Sequence, residues 1–458
     1  MMSDLTARLT ASLWDALDGD PAVLHGLRFS SAGALPSTFF VTDLASASIA
    51  AAGTAIAELI GTQHGGFPSV HVDRRLASFW FASSLRPIGW SVPGPWDPIA
   101  GDYRTADGWI RLHTNAPSHR DAALRVLGRH DDKAAVALTV ARWRMLDLET
   151  TIVAEGGCAA AMRSIDAWRV DPQGRAVSTE PLLHVVATER GADAHWRITS
   201  ARPLAGIRVL DLTRVLAGPV ASRFLAGYGA DVLRIDPPWW SEPGVVPEVT
   251  LGKRCARLDL HSAADRTRFE ALLIDADVLL HGYRADALER LGYDAPMRAR
   301  LRPGLIDVAL NAYGWSGPLR SRRGFDSLLQ MSTGIANAGM HWQHADRPVP
   351  LPVQALDHAT GYLMAAAAVR GITRRLTTTH GATVRASLAR TAQLLIDQGT
   401  APPTPAFATE TAADRAPAIE ATAWGAAQRL ITPLTIHGAP LRWDSPATDL
   451  GSAEPQWR

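Results

Sequence analysis

The sequence predicts an α/β protein: a doubly wound parallel sheet, Rossmann-like, joined to a smaller α+β domain. Three observations carry that reading. From residue 206 onward, short β-branched runs alternate with helical stretches of ten to fifteen residues, the pattern of successive βαβ units. Before residue 200 the alternation is missing and a hairpin signal takes its place. A segment near residue 40 recurs near residue 350 with the same order of features.

The elements follow in order. "GIRVLDL" (206–212) reads as a strand, "TRVLAGPVASRFLAGYGA" as a helix and "DVLRID" (231–236) as the next strand. A crossover this short implies a parallel pair. "CARLDL" (255–260), a helix from "SAADRTRFEALLID", "DVLLHGY" (277–283), a helix containing "ALERLG" and "LIDVALNAYG" (305–314) extend the pattern. In the N-terminal third, "DYRTADGWIRLHT" (102–114) places a turn at Asp107-Gly108 between two strand-like runs. "HRDAALRVLGR" (119–129) and "LETTIVAEGGCAAAMRSIDAWRV" (148–170) read as flanking helices, and "PLLHVVAT" as one short strand in an irregular connection. The predicted domains are therefore 1–200 (small, α+β), 201–400 (Rossmann-like) and a Pro-, Ala- and Thr-rich tail, 401–458, wrapping the surface.

Composition bounds the function. Lys+Arg 46 against Asp+Glu 45 leaves a net charge of +1 on 458 residues, with no long block of one sign. Nucleic-acid or membrane-surface binding has no electrostatic support in that balance. Cys158 and Cys255 are the only cysteines, which excludes a disulfide framework and fits a reducing cytoplasm. The start, "MMSDLTARLT", has no signal-peptide pattern, and the apolar run 44–61 is Ala/Ser/Thr-rich and reads as a packed helix. A cytoplasmic protein is expected.

The repeat pairs 39–81 with 351–395; each copy has an apolar approach, an Asp (Asp43 or Asp357), a small-residue helix and a His-Gly loop. Asp is a good N-cap, because its carboxylate accepts from the unpaired N–H groups of the first turn. Capping alone therefore accounts for both. "LAGP" (216–219) sits at the first strand-to-helix turn, where an open α/β sheet binds ligands, but the G-x-G-x-x-G of a dinucleotide site is missing. Lys253, Arg254, Arg290, Arg322 and Arg323 could hold a phosphorylated ligand or be solvated surface charges. His341, His344 and His358 lack metal-ligand spacing, so no metal is expected, and no G-x-S-x-G marks a serine hydrolase.

"PLAGIRVLDLTRVLAGPVASRFLAGYGADVLRID", followed by "GKRCARLDL", "ADVLLHGYRADALERLG", "NAYGWSGP" and "GFDSLLQMSTG", resembles the family III CoA-transferases, of the formyl-CoA and carnitine-CoA transferase type. The 2-methylacyl-CoA racemases are related to them. The likeness runs over about 203–398, and the N-terminal third resembles a later portion of the same family, so the domain order looks rearranged.

The resemblance implies an acyl-CoA transferase that moves CoA between carboxylic acids through an aspartyl anhydride and an aspartyl-CoA thioester. Asp357, with Gly361 in a D-x-x-x-G pattern, would be the nucleophile; Asp43 has Ala47 where the glycine belongs. Val215, Leu216, Ala217, Lys253, Tyr283, Arg284, Arg290, Arg323 and Phe325 match CoA-contacting positions. Pro237 stands where the formate type has arginine, and Gly282 where it has asparagine. The small residues after Asp357 are expected to leave room for the pantetheine arm. The implied substrates are acyl-CoA and a carboxylic acid, with no tightly bound cofactor. The implied assembly is a homodimer or a hetero-oligomer with a related subunit. Two other functions fit the same residues: a 2-methylacyl-CoA racemase or isomerase, and a non-catalytic CoA-binding subunit or scaffold. Phe325 occupies the position of the racemase histidine and argues against the first.

Overall fold

In the computed structural model, residues 4–130, 132–192, 196–282 and 287–458 are described. Seven strands form the main sheet, in the order Arg254–Arg257, Asp231–Asp236, Arg208–Asp211, Val278–His281, Ile306–Asn311, His380–Ser387 and His184–Arg190. The first six are parallel and His184–Arg190 adds an antiparallel edge. From Arg208–Asp211 the chain winds outward through Asp231–Asp236 to Arg254–Arg257, then crosses back to Val278–His281 on the other side and winds the opposite way, so the switch point of the sheet lies between Arg208–Asp211 and Val278–His281. Ligand crevices form there, outside the carboxyl ends of the strands.

The strand in "PLLHVVAT" thus belongs to the large sheet, although it lies before residue 200. The expected helix over 148–170 is three elements: helix Met145–Ala154, strand Ala159–Ala161 and helix Ile165–Val170. Gly156, at φ +86°, ends the first helix, and Ser164 caps the second by accepting from the Ala167 N–H. Between them, Ala159–Ala161 pairs with Trp109–Leu112, which also pairs with Gly101–Arg104 across the Asp107-Gly108 turn.

The two repeated segments each form a 24-residue helix, Val41–His64 and Ala355–Thr378. They pack on each other, and Glu58 of the first pairs with Arg370 of the second. Val41–His64 is apolar and long enough to cross a membrane, but here it lies buried inside the protein. One continuous hydrophobic core runs from Leu5 through both helices and the main sheet to Ala439. Residues on either side of position 200 share that core.

The tail is also more than a wrap. Leu434–Ile436 pairs with Val70–Asp73, and Gly425–Arg429 pairs with Leu85–Pro87. Glu248 stitches three parts of the chain together. Its buried carboxylate accepts from the Ser84 and Leu85 N–H groups (3.1 and 3.0 Å) and pairs with Arg223 and with Arg429 of the tail. The two guanidiniums and the Ser84 hydroxyl outweigh the cost of burial and hold this carboxyl down at about 2.

Candidate active site

The Asp357 helix begins at Ala355, with Gln354 at the cap position and no side-chain cap of its own. Asp357 is therefore the third helical residue and does not act as the N-cap expected from the sequence. The first-turn donors are satisfied from another element. Asp326, which opens the helix Asp326–Ser332, accepts from the N–H groups of Leu356 and Asp357 through one oxygen, 3.0 Å each. Its other oxygen accepts from Gln330 Nε2 at 2.5 Å, and Gln330 Oε1 accepts from the Leu351 N–H at 2.7 Å. The helix start is fixed by Asp326, which leaves the Asp357 carboxylate for other work.

That carboxylate faces a cleft of about 960 Å³ built from the loops at the carboxyl ends of the parallel strands. Asp357 is 7% exposed, and burial first, then the charge of Asp326, raise its carboxyl well above the ordinary carboxylate range. Val215, Leu216 and Ala217 line the cleft at the first strand-to-helix turn. Val215 has φ +63°, a left-handed conformation that costs a β-branched residue about 1–3 kcal/mol. Its N–H is held by Glu242 at 2.9 Å, and Glu242 in turn pairs with Arg234 at 2.5 Å. The next strand contributes Asp236, Pro237, Trp239 and Trp240. Trp239 is 64% exposed and lies parallel to His261, and the Arg214 guanidinium sits 4.7 Å above the Trp240 ring.

The opposite wall comes from the hairpin domain and from "RRGF". His113 stacks on Phe325 with ring centroids 3.7 Å apart, and His119 meets Phe325 edge-on at 5.9 Å. Burial keeps both imidazoles neutral, drawing His119 down to about 4 and His113 to about 3.

Of the residues the sequence singled out, Val215, Leu216, Ala217, Arg290, Arg323, Phe325 and Asp357 line this one cleft. Arg323 also donates to the Gly156 carbonyl at 3.1 Å. Tyr283 and Arg284 lie outside the described residues. Lys253 does not line the cleft. It is 1% exposed, bound to Asp211 (3.2 Å) and the Pro219 carbonyl (3.0 Å), and burial lowers its ammonium to about 8 against the pull of Asp211. It braces the turn beneath Leu216 and Ala217 instead of meeting a ligand.

Asp43 stands at the same third position of its helix, and the caps before the two helices have matching backbones: φ −76°, ψ 56° at Phe40 and φ −76°, ψ 65° at Gln354. Its carboxylate, however, is occupied by Thr6 Oγ1 (2.5 Å) and Arg74 (3.1 Å), and it does not line the cleft.

The small residues after Asp357 also have a different use from the one expected. Ala365, Ala366 and Ala368 are fully buried. A Cβ on Gly361 would lie 2.3 Å from the Ala217 carbonyl and 2.9 Å from Val220 Cβ, so this glycine lets the Asp357 helix touch the cleft loop directly. Gly361→Ala is expected to destabilise the fold by about 1–3 kcal/mol through overpacking. Because the displaced backbone belongs to Ala217, the strain falls on the cleft loop itself. Urea unfolding measures the loss.

Sequence reasoning missed the part played by Asp326 although it quoted "GFD". Nothing in spacing links positions 326 and 357. It missed His119, Trp239 and Glu242 for the same reason.

Such a carboxylate, at a helix start facing the strand-end crevice of a doubly wound sheet, is a candidate covalent or acid–base group in an α/β protein. The comparisons make this specific. Residues 204–415 match the profile of CoA-transferase family III. An acyl-CoA transferase of Gibberella moniliformis is 30% identical over 298 residues, covering 60% of this chain and 52% of that protein. The acetyl-coenzyme A transferase nodX of Hypoxylon pulicicidum is 35% identical over 180 residues, 38% of this chain and 30% of that one. The alpha subunit of succinyl-CoA–L-malate CoA-transferase from Chloroflexus aurantiacus is 29% identical over 180 residues, 36% of this chain and 41% of that subunit. The chain spans about half, or less, of the length of each of these relatives.

Proposed function

We propose that the protein is an acyl-CoA transferase in which Asp357 is the covalent nucleophile and acyl-CoA and a free carboxylic acid are the substrates. The observation that carries the reading is the Asp357 carboxylate, relieved of capping by Asp326 and facing the strand-end cleft. CoA would lie along the loop Val215–Ala217. Arg214, Arg266 and Arg290 line the same cleft as candidates for its phosphates, and the exposed face of Trp239 offers a platform for its adenine.

An Asp357 oxygen attacks the thioester carbonyl carbon, the C–S bond breaks, and the electron pair leaves on the CoA sulfur, giving an aspartyl–acyl anhydride. The thiolate then attacks the aspartyl carbonyl, which releases the first acid as its carboxylate and leaves an aspartyl-CoA thioester. The carboxylate of the second acid attacks that thioester and displaces CoA, and the thiolate finally takes the new acyl group and frees Asp357. A carboxylate is a weak nucleophile in water, and burial of Asp357 removes the hydration that would blunt it. Where racemase relatives present a histidine, Phe325 offers no base, which favours transfer over proton exchange.

The test is trapping. The protein is incubated with acetyl-CoA, quenched with hydroxylamine or borohydride, and the modified peptide is mapped. Modification at Asp357 is the expected result; an unmodified Asp357 in protein that binds CoA would overturn the reading and leave a CoA-binding subunit.

A further inference from the structure

We propose that Asp326 is a positioning residue that acts through its charge: it holds the start of the Asp357 helix and, by repelling the Asp357 carboxylate at rest, favours conversion of that carboxylate into its neutral acyl adducts. The inference rests on the transferase reading. It concerns a residue 31 positions away in sequence that reaches the nucleophile only through the backbone.

The geometry sets two carboxyl groups in one buried place with unequal support. Asp326 receives three hydrogen bonds, all from donors: Gln330 Nε2, the Leu356 N–H and the Asp357 N–H. Burial raises the Asp326 carboxyl as well, but these three donors oppose that shift and favour its ionised form. The Asp357 carboxylate has no hydrogen-bond or ion-pair partner among the described residues. Of two like charges so placed, the unsupported one yields first.

Among the described residues, no other charge competes for Asp357 from the elements packed on its helix. His358, beside it, is neutral and stacks on Phe81. Arg223, on the helix Ala217–Gly227, is engaged by Glu248. Glu58 and Arg370 pair with each other further along, and Asp43 is held by Arg74. Arg390, on the following helix Leu388–Asp397, donates to the Glu180 carbonyl. Arg111, from the hairpin, acts on Asp326 and pairs with Asp102. Arg214, Arg290, Arg323 and His119 share the cleft, and His119 is neutral.

The consequence follows from charge balance. At rest the pair carries two negative charges when both are ionised. The first covalent step moves one of them off Asp357 onto the CoA sulfur, the next two pass it between thiolate and free carboxylate, and the last returns it to Asp357, while Asp326 keeps its own throughout. Repulsion present at rest is absent in the anhydride and in the thioester. Asp326 therefore raises the reactivity of Asp357 and also sets the pH below which Asp357 is protonated and inert.

The experiment compares wild type with Asp326→Asn, which preserves shape and an acceptor oxygen for the two N–H groups. The pH dependence of kcat/KM and the fraction of Asp357 trapped from acetyl-CoA are measured on both. In the variant the acidic limb is expected to move down by at least one pH unit. kcat at pH 8 should fall about tenfold or more with KM for acetyl-CoA within about twofold, and the trapped fraction should fall with it. A residue that merely props the helix would lower activity at all pH values without moving the limb, and an unmoved limb overturns the proposal. If Asp326→Asn does not fold, an infrared carboxyl titration of wild type, with Asp357→Asn as blank, replaces it. Repulsion is reciprocal, so the Asp326 band should titrate lower in Asp357→Asn than in wild type; an Asp326 band that does not move overturns the proposal, as does an Asp357 band in the ordinary Asp range near ~4. If wild type itself is not modified at Asp357, the transferase reading has failed; if it is modified and the limb stays put, only the role of Asp326 has.

Discussion

Asp357→Asn is expected to lower transferase turnover by about a thousandfold or more and at the same time to make the protein more stable at neutral pH. The loss follows from removing the proposed nucleophile, since the neighbouring carboxylate, Asp326, is held by the Leu356 and Asp357 N–H groups and by Gln330. Asp43, the equivalent residue in the first copy, is bound by Arg74 and lies away from the cleft. The gain in stability has a separate cause. Burial and Asp326 raise the Asp357 carboxyl in the folded state, so the native protein holds a proton that the unfolded chain has already released. As pH rises through that window, ionising Asp357 in place costs stability. The neutral asparagine avoids the cost, so the thermal midpoint of the variant should exceed that of wild type by an amount that grows from pH 5 to pH 8. A difference of the opposite sign, or one independent of pH, would show that the Asp357 charge is compensated by something not among its described neighbours.

The largest purely structural effect is expected at Glu248. Glu248→Ala should destabilise the protein by about 3–5 kcal/mol, the cost of leaving buried charge without its partner. Arg223 and Arg429 would both lose their shared carboxylate, and the Ser84 and Leu85 N–H groups would lose their acceptor. The sign of its pH dependence is opposite to that of Asp357. The folded-state carboxyl lies near 2, below the unfolded value of ~4.3, so its contribution is complete above that value and is lost as pH falls toward 2. Urea unfolding at pH 7 measures the loss, and at pH 2 the wild type and the variant should converge. Because Glu248 joins the N-terminal third, the Rossmann-like domain and the tail, its removal should also make Arg415, at the surface, and the half-buried Arg75 earlier sites of tryptic cleavage.

Much of the fold was legible because local chemistry spells it out. The parallel strands announce themselves as β-branched runs between helical stretches, and the Asp107-Gly108 turn marks its hairpin. Segments failed where a neighbour outvoted local preference. The stretch 148–170 is rich in helix formers, but the glycines at 156 and 157 and the free edge of Trp109–Leu112 turn its middle into a strand. The tail has the composition of a surface wrap, and its strands exist because Val70–Asp73 and Leu85–Pro87 leave edges for it to pair with. Lys253 shows the same limit at the site. As a cation before a strand it looks ready for a phosphate, and only burial against Asp211 reveals it as a brace.

By itself the sequence determined the doubly wound sheet, the cleft at its strand ends and the likeness of residues 204–415 to CoA-transferase family III, because periodicity and motif order depend on residues close together along the chain. It also brought Asp357 forward, through the repeat and the glycine four residues on. Tertiary structure alone decided what Asp357 is free to do. The capping role that its residue type predicts is filled by Asp326, from a helix 31 residues earlier, and the matching role of Asp43 is cancelled by Arg74. Two aspartates with the same local surroundings end with different chemistry because burial and charge act through space, and the contacts that set them are made only when the chain has folded.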